Sequence, residues 1–327
     1  MIKVKLTTHD HSLSIREDVQ KQTPGLSWKW GDFWFYLNER ISECDYWVVF
    51  DHLPKKESVK CPKENLIFIT GEPSSIKEYN EKFLSQFSKI ITSQRSIKHP
   101  GARYMAPGHT WFSKKSYDEL SKNNNVEKSK LISLVVSNKS DTPGHQKRLE
   151  FCLNLKKHFG DKIDIFGRGI NEFEDKWNVL APYKYSIAIE NSVEQDYMTE
   201  KIGDCFMSLT FPFYYGCPNI DKYYSKDSYE LIDINDFGKS CATIEEIINK
   251  ENHYQQHLKS LIESKDKYLN QYSLIPLITN FIKNEYKEVV NLTAKKVIIS
   301  PEKEFRRKSF IINTIKNIIK KINRTLS

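Results

Sequence analysis

Three side chains that can bind a ligand follow one another in this sequence: the carboxylate, amide and hydroxyl of Glu190, Asn191 and Ser192. They come directly after residues 185–189, an apolar run typical of a short buried strand. The carboxyl ends of strands in α/β folds open into the ligand crevice. We therefore expect these three side chains to face a ligand.

A predicted helix start follows this strand end. Thr199 is a suitable N-cap for a helix over residues 200–207, which places Glu200 and Lys201 in the first turn. Exposed amides and the positive end of the helix dipole favour an anion at such a position. Taken alone, however, the two charged residues fit a solvated helix start better than a binding site, because charged residues are mostly exposed.

A second strand and helix upstream also carry cations. Residues 130–137 form an apolar strand candidate, and a helical pattern covers residues 145–159. His145, Lys147 and Arg148 lie at the start of this helix, where each cation is unfavourable to the dipole by about 0.3–1 kcal/mol unless an anion is bound. The placement suggests a phosphate ligand, although Arg148 also fits a surface position on an amphipathic helix.

A single carboxylate stands out in the first half of the chain. The strand candidate 66–70 is followed by Gly71 and Glu72, so that the Glu72 carboxylate is expected to project from the strand end into a crevice. This makes Glu72 a candidate general base. The alternative is a helix-capping or surface glutamate.

These residues need an α/β scaffold with strand ends on one edge. Strand candidates at suitable spacing for a parallel sheet occupy residues 2–6, 46–50, 66–70 and 89–92 in the first half. The polar segment 113–130 separates this half from the second. We predict an N-terminal domain over 1–125, a second domain over 126–290 and a tail over 291–327.

Composition restricts the class of protein. A chain of 327 residues with 39% hydrophobic content is long enough for two domains. The six cysteines show no metal-ligand spacing, which favours buried free thiols in a reducing compartment. No leader, spanning segment or nucleic-acid-binding motif is recognisable, so we expect a cytoplasmic protein without a nucleic-acid partner.

The C-terminal tail is basic and amphipathic. Its isoleucines recur at helical spacing between residues 305 and 326, opposite lysines and arginines, with no acidic residue after Glu304. Such a helix can lie on an anionic membrane, each cation contributing about 1 kcal/mol. We predict peripheral binding to the inner face of the cytoplasmic membrane; the alternative is docking onto the folded body.

The region from residue 183 to 216 resembles the donor-binding core of the bacterial α-1,3-fucosyltransferases, glycosyltransferase family 10. The matching positions are Tyr183, Glu190, Asn191, Ser192, Tyr197, Thr199, Glu200, Lys201, Pro212, Tyr214 and Gly216. The family's KR-x-x-F and TGE elements are also matched, by Lys147, Arg148 and Phe151, and by Thr70, Gly71 and Glu72.

The resemblance implies a GT-B fold, in which two Rossmann-like domains face each other across a cleft. It implies that the domain over 1–125 binds the acceptor and the domain over 126–290 binds the nucleotide sugar. It implies that Arg148, Glu190, Asn191, Tyr197, Glu200 and Lys201 bind GDP-fucose, and that Glu72 deprotonates the acceptor hydroxyl in an inverting transfer without a metal or other cofactor. The implied acceptor is a Gal- or GlcNAc-containing bacterial surface glycan, either lipopolysaccharide-type and lipid-linked or carried on protein. Alternatives are another nucleotide-activated deoxy-sugar, or a glycan-binding protein without turnover.

Overall fold

The computed structural model describes residues 1–8, 12–138, 143–286 and 293–306. These residues divide into two compact units, each discontinuous in sequence. The first unit comprises the described residues within 1–12, 32–104 and 288–327, and the second those within 13–31 and 105–287. Predicted domains were single stretches, whereas in the structure both ends of the chain contribute to the first unit.

The secondary structure alternates between strands and helices. The strands are β1 (Ile2–Thr7), β2 (Lys29–Trp30), β3 (Phe33–Leu37), β4 (Tyr46–Phe50), β5 (Glu57–Cys61), β6 (Leu66–Ile69), β7 (Lys89–Thr92), β8 (Ala102–Tyr104), β9 (Lys130–Val135), β10 (Ile163–Phe166), β11 (Tyr183–Ile189), β12 (Phe211–Tyr215), β13 (Glu230–Leu231) and β14 (Lys295–Ile299). The helices are α1 (Leu13–Gln20), α2 (Glu81–Leu84), α3 (Tyr117–Lys122), α4 (Pro143–Phe159), α5 (Lys176–Leu180), α6 (Glu200–Met207), α7 (Phe237–Asn249), α8 (His253–Lys267) and α9 (Leu274–Glu285).

The first unit is built on a parallel sheet with the strand order β3-β1-β4-β6-β7-β8. Its central strands β4 and β6 are almost continuously apolar because both faces are covered. Trp47 and Phe68 share one buried cluster with Val59 of β5 and Ile299 of β14. Strands β5 and β14 pair antiparallel. Residues 295–299, which the prediction placed in the tail, are therefore part of this unit.

The second unit contains a parallel sheet with the order β10-β9-β11-β12-β13. From β9 the chain crosses through α4 to β10 on one side, and it then returns to place β11 on the other side. The direction of winding thus reverses between β9 and β11. Ligands of open α/β sheets bind outside the carboxyl ends of the strands at such a reversal.

The expected α/β class is confirmed, and several elements lie where the patterns placed them. Helix α6 begins and ends at the predicted residues. The helical pattern over residues 244–265 predicts one helix, whereas the structure divides this range between α7 and α8. Asn252 separates these two helices with a φ of 58°, a left-handed conformation that asparagine tolerates. The predicted tail helix over 305–326 lies almost entirely outside the described residues.

The six cysteines, all within described ranges, are buried free thiols, as predicted. Among the described helices, none has both the length and the hydropathy required to cross a membrane.

Candidate functional site

The carboxylate of Glu190 organises the loop that follows β11. Glu190 is 2% exposed. Its Oε1 accepts a 2.8 Å hydrogen bond from the backbone N–H of Thr199, and its Oε2 accepts another of 2.8 Å from the Thr199 hydroxyl. Thr199 in turn caps α6, as the sequence predicts. A buried carboxylate is stable only with such partners, so Glu190 links the end of β11 to the start of α6.

Lys201 completes this arrangement. Its Nζ lies 3.0 Å from Glu190 Oε2, 2.9 Å from Thr199 Oγ1 and 3.7 Å from Glu200 Oε1. The side chain is 25% exposed. Its ammonium group is thus held in one position by three neighbouring oxygens, and part of the side chain stays accessible to solvent.

Two further charged residues, absent from the sequence-based prediction, extend the network inward. Lys176, at the start of α5, lies 2.7 Å from Asp204 Oδ2 and 4.0 Å from Glu200 Oε1. Both Lys176 and Asp204 are buried. We call Glu190, Thr199, Glu200, Lys201, Lys176 and Asp204 the TEK cluster.

In the TEK cluster, burial and the neighbouring lysines shift the pKa values of the carboxyl groups in opposite directions. Burial alone raises the pKa of Glu200, but Lys201 and Lys176 outweigh it and hold that pKa at about 2. Burial raises the pKa of Asp204 to about 6, because Lys176 offsets only part of the desolvation and Glu200 adds repulsion. The cluster thus holds three carboxylates against two ammonium groups, and Asp204 protonates before Glu200 as the pH falls.

The other predicted residues of this loop have separate partners. The Tyr197 hydroxyl donates a 2.8 Å hydrogen bond to Asn191 Oδ1. Asp196 adopts a φ of 62° and is fully buried. Its Oδ1 accepts from Asn219 Nδ2 at 2.8 Å and from the Tyr223 hydroxyl at 2.7 Å. These bonds define the path of the loop between β11 and α6, a role for Asp196 that the sequence did not predict.

Gly216 is required by close packing against the same carboxylate. A Cβ atom at this position would lie 2.4 Å from Glu190 Cγ and 2.7 Å from the Tyr214 hydroxyl. The glycine that matches the family pattern at the end of β12 is therefore needed because a residue with a side chain would collide with Glu190.

Arg148 lies near the start of α4, which follows β9 and hence begins on the other side of the reversal in strand order. Its exposure is 9%. Within the described residues its Nε has no hydrogen-bond partner and no carboxylate forms an ion pair with it. In the same helix, Phe151 packs edge-on against Phe237 with ring centroids 5.8 Å apart, while Lys147 bonds to Asn235.

Glu72 belongs to the first unit and follows β6. Two hydrogen bonds hold the loop that contains Gly71 and Glu72. The buried Gln94 donates a 2.9 Å hydrogen bond to the Glu72 carbonyl, and the Tyr79 hydroxyl lies 3.2 Å from the Gly71 nitrogen. The Glu72 residue itself is half-buried. The structure thus places Glu72 at a strand end, as predicted, in a different unit from the other predicted site residues.

Asp51 supports this loop from the end of β4. Its Oδ1 accepts from the Gly71 N–H at 3.3 Å, from the Tyr79 hydroxyl, and from Lys77 Nζ at 3.2 Å. A Cβ atom on Gly71 would lie 2.9 Å from Asp51 Cβ, so only glycine fits before Glu72. No local pattern indicated a role for Asp51, because it is 20 residues from Gly71 along the chain.

Residues 125–274 match the family described as glycosyltransferase family 10 (fucosyltransferase), C-terminal part. The chain is 31% identical over 91 residues to the alpha-(1,3)-fucosyltransferase FucT of Helicobacter pylori, covering 28% of this chain and 19% of that protein. It is 27% identical over 227 residues to alpha-(1,3)-fucosyltransferase B of Drosophila melanogaster, covering 63% of this chain and 49% of that one. The chain thus spans at most about half the length of these two relatives.

A solved structure shares the fold. The crystal structure of an alpha1,3-fucosyltransferase with GDP superposes with a TM-score of 0.52 at 17% identity, covering 84% of this chain and 93% of that chain. The expectation of a GT-B fold with two Rossmann-like units is thereby confirmed. Residues 125–274 thus match glycosyltransferase family 10, the family that residues 183–216 resemble.

Proposed function

We propose that this protein transfers fucose from GDP-fucose, with inversion, to a hydroxyl of a Gal- or GlcNAc-containing bacterial surface glycan. The family match and the names of the relatives support the reaction class. The observation that carries the proposal is Arg148, a buried guanidinium that no carboxylate of the described residues neutralises. A buried charge needs a partner, and a diphosphate supplies one with matching geometry.

In this proposal the second unit binds the donor. Arg148 and Lys201 contact the diphosphate, and Asn191, Tyr197 and Glu200 position the ribose and the sugar. Glu190 acts through its neighbours, because both of its carboxylate oxygens already accept hydrogen bonds from Thr199 and Lys201. It is a positioning residue for Lys201 and for the start of α6.

The reaction is a single displacement. The acceptor oxygen forms a bond to the anomeric carbon of fucose as the bond from that carbon to the β-phosphate oxygen breaks. Glu72 takes the proton of the acceptor hydroxyl, and the negative charge that develops on GDP is stabilised by Arg148 and Lys201. The rigid support of the Glu72 loop by Gln94 and Asp51 favours this assignment of the base.

The Glu72→Gln variant tests the assignment. It should reduce fucose transfer by about 100- to 10,000-fold, the range for loss of a general base, while GDP affinity measured by calorimetry stays unchanged. Glu78→Gln, an exposed glutamate of the same segment, is the matched control. Full residual transfer by the Glu72 variant would remove Glu72 as the base.

Two rival functions have direct tests. A panel of nucleotide-activated deoxy-sugars, with products detected by mass, separates fucose from a related donor sugar. Release of GDP that depends on added acceptor separates an enzyme from a glycan-binding protein without turnover.

Two further parts of the proposal concern partners. Metal independence predicts that transfer persists after treatment with EDTA. The basic tail supports a peripheral position on the inner face of the cytoplasmic membrane. Sedimentation with vesicles containing phosphatidylserine should retain the full chain and should not retain a chain ending at residue 306.

A further inference from the structure

A cavity of about 360 Å³ in the first unit has an unusual lining for a surface depression. Four cations contribute to its wall: Lys5, Arg40, Lys55 and Lys56. One carboxylate, Glu57, and neutral polar side chains including Asn38 and Ser58 complete the polar part. We call it the Lys5 cavity.

Lys5 is 3% exposed and fixed in place. Its Nζ donates to the Glu39 carbonyl at 2.6 Å, lies 3.2 Å from Glu57 Oε2 and sits 5.7 Å from the centre of the Trp47 ring. The single carboxylate of the cavity is thus paired with the single buried cation.

The three remaining cations have no such partner. Arg40, Lys55 and Lys56 are exposed, and none of them forms an ion pair or hydrogen bond through its side chain with any described residue. Isolated surface lysines are ordinarily solvated and need no explanation. Here three converge on one concavity in which Lys5 and Glu57 already offset each other. The described residues of its lining therefore carry a net positive charge that a bound anion would offset.

The position of the cavity in the sheet is that of a ligand site. Asn38 and Arg40 follow β3, and Lys55 and Lys56 lie in the segment that follows β4. Because β1 lies between β3 and β4, the order of strands reverses beside β1. The carboxyl ends of strands at such a reversal form the binding crevice of an open α/β sheet.

Glu72 follows β6, the strand beyond β4. Two strand spacings separate β1 from β6, on the order of 10 Å. An anion in the Lys5 cavity would therefore belong to a part of the acceptor other than the hydroxyl that Glu72 deprotonates.

We propose that the Lys5 cavity binds an anionic group of the acceptor, with Arg40, Lys55 and Lys56 as its direct ligands. This inference rests on the proposed function, with the first unit as the acceptor side. The shared chemistry is a phosphate or carboxylate oxygen, which has two sources: a diphosphate that links the glycan to its carrier, or an acidic sugar within the glycan.

The test compares three acceptors with one common disaccharide, carried on a neutral linker, on a diphosphate linker, or extended by a carboxylate-bearing sugar. In the full chain, Lys55→Ala combined with Lys56→Ala should raise KM about tenfold or more for at least one anionic acceptor. The KM for the neutral acceptor and for GDP-fucose should not change. The anionic acceptor that responds identifies the source.

The charge-matched control is Lys60→Ala combined with Lys63→Ala, two lysines of the same unit outside the cavity lining. It should behave as the unmodified protein with all three acceptors. Equal KM values for the cavity variant and the unmodified protein with both anionic acceptors would overturn the proposal.

A direct titration separates this proposal from the proposed function. Inorganic pyrophosphate, titrated calorimetrically into the full chain, should bind at one site more in the unmodified protein than in the Lys55 and Lys56 double variant. If no fucose transfer occurs with any acceptor, the proposed function fails and the titration alone decides; identical isotherms would then refute the anion site.

Discussion

Two regions of the second unit lie beside the same reversal in strand order, but their cations differ in whether they have carboxylate partners. In the TEK cluster, Lys201 and Lys176 each have a carboxylate within 3.0 Å. At the start of α4, Arg148 is buried with no carboxylate partner among the described residues. In the first region each ammonium group already has a carboxylate partner, whereas in the second no carboxylate of the described residues neutralises the guanidinium.

This difference indicates that the TEK cluster mainly holds residues in position, whereas Arg148 mainly supplies charge for ligand binding. Buried ion pairs contribute little net stability compared with apolar packing, but removing one partner is strongly destabilising. The TEK cluster therefore resists change and holds Lys201 in place. Arg148, which has no carboxylate partner among the described residues, contributes charge that the ligand can use. Substitutions in the two regions should consequently differ in whether they affect stability or donor binding.

The largest effect on stability is expected from Glu190→Ala. It leaves the Lys201 ammonium and the Thr199 groups without their shared acceptor, and should lower the free energy of unfolding by about 3–5 kcal/mol. Glu190→Gln retains an acceptor for the Thr199 N–H and should lose less. Urea unfolding followed by tryptophan fluorescence measures both, and an equal loss in the two variants would contradict a charge-based role.

Arg148→Ala should affect function more than stability. Loss of a positioned cation facing developing negative charge should reduce kcat/KM by about 100- to 1000-fold, with unfolding close to that of the unmodified protein. Arg148→Lys should recover part of the loss, because lysine keeps the charge without the bidentate geometry. Lys157→Ala, an exposed cation of the same helix, serves as control; a similar loss there would indicate a general charge effect.

A smaller effect concerns pH. The ordinary carboxyl pKa of 3.8 is raised to about 6 in folded Asp204, so folding takes up a proton between these values. Stability contributed by this group is therefore lost as pH rises from about 4 to 6, by no more than about 3 kcal/mol. Asp204→Asn should remove that decline. Unfolding measured across this range would contradict the account if both proteins showed the same slope, with the exposed Asp161→Asn as control.

Glu200 contributes the opposite slope at lower pH. Its folded pKa of about 2 lies below the ordinary 4.5, so its contribution is lost as pH falls through that window. The two carboxylates of one cluster thus limit stability from different sides of the pH scale.

Local patterns predicted local structure well. The bounds of β4, β7 and α6 agree with the predicted ranges because hydrophobic runs and a capping threonine are short-range signals. The features that local patterns did not predict depend on the tertiary structure. Strand β14 pairs with β5 over a long separation in sequence, and helices α7 and α8 are divided by the left-handed Asn252.

In the candidate functional site, too, local patterns revealed some residues and only tertiary contacts revealed others. Glu190, Tyr197 and Lys201 lie in one motif and were found from it. Lys176 and Asp204 were not, since their contact joins two helices and only the 2.7 Å distance in the folded chain reveals it. The Asp175 cap at the start of α5 was the available local signal for that helix.

Titration of GDP and of GMP into the unmodified protein and into Arg148→Ala tests the central claim most directly. If Arg148 is completed by a diphosphate, the unmodified protein should bind GDP at least about tenfold more tightly than GMP, and the variant should bind the two with nearly equal affinity. The same preference for GDP in both proteins would contradict the account.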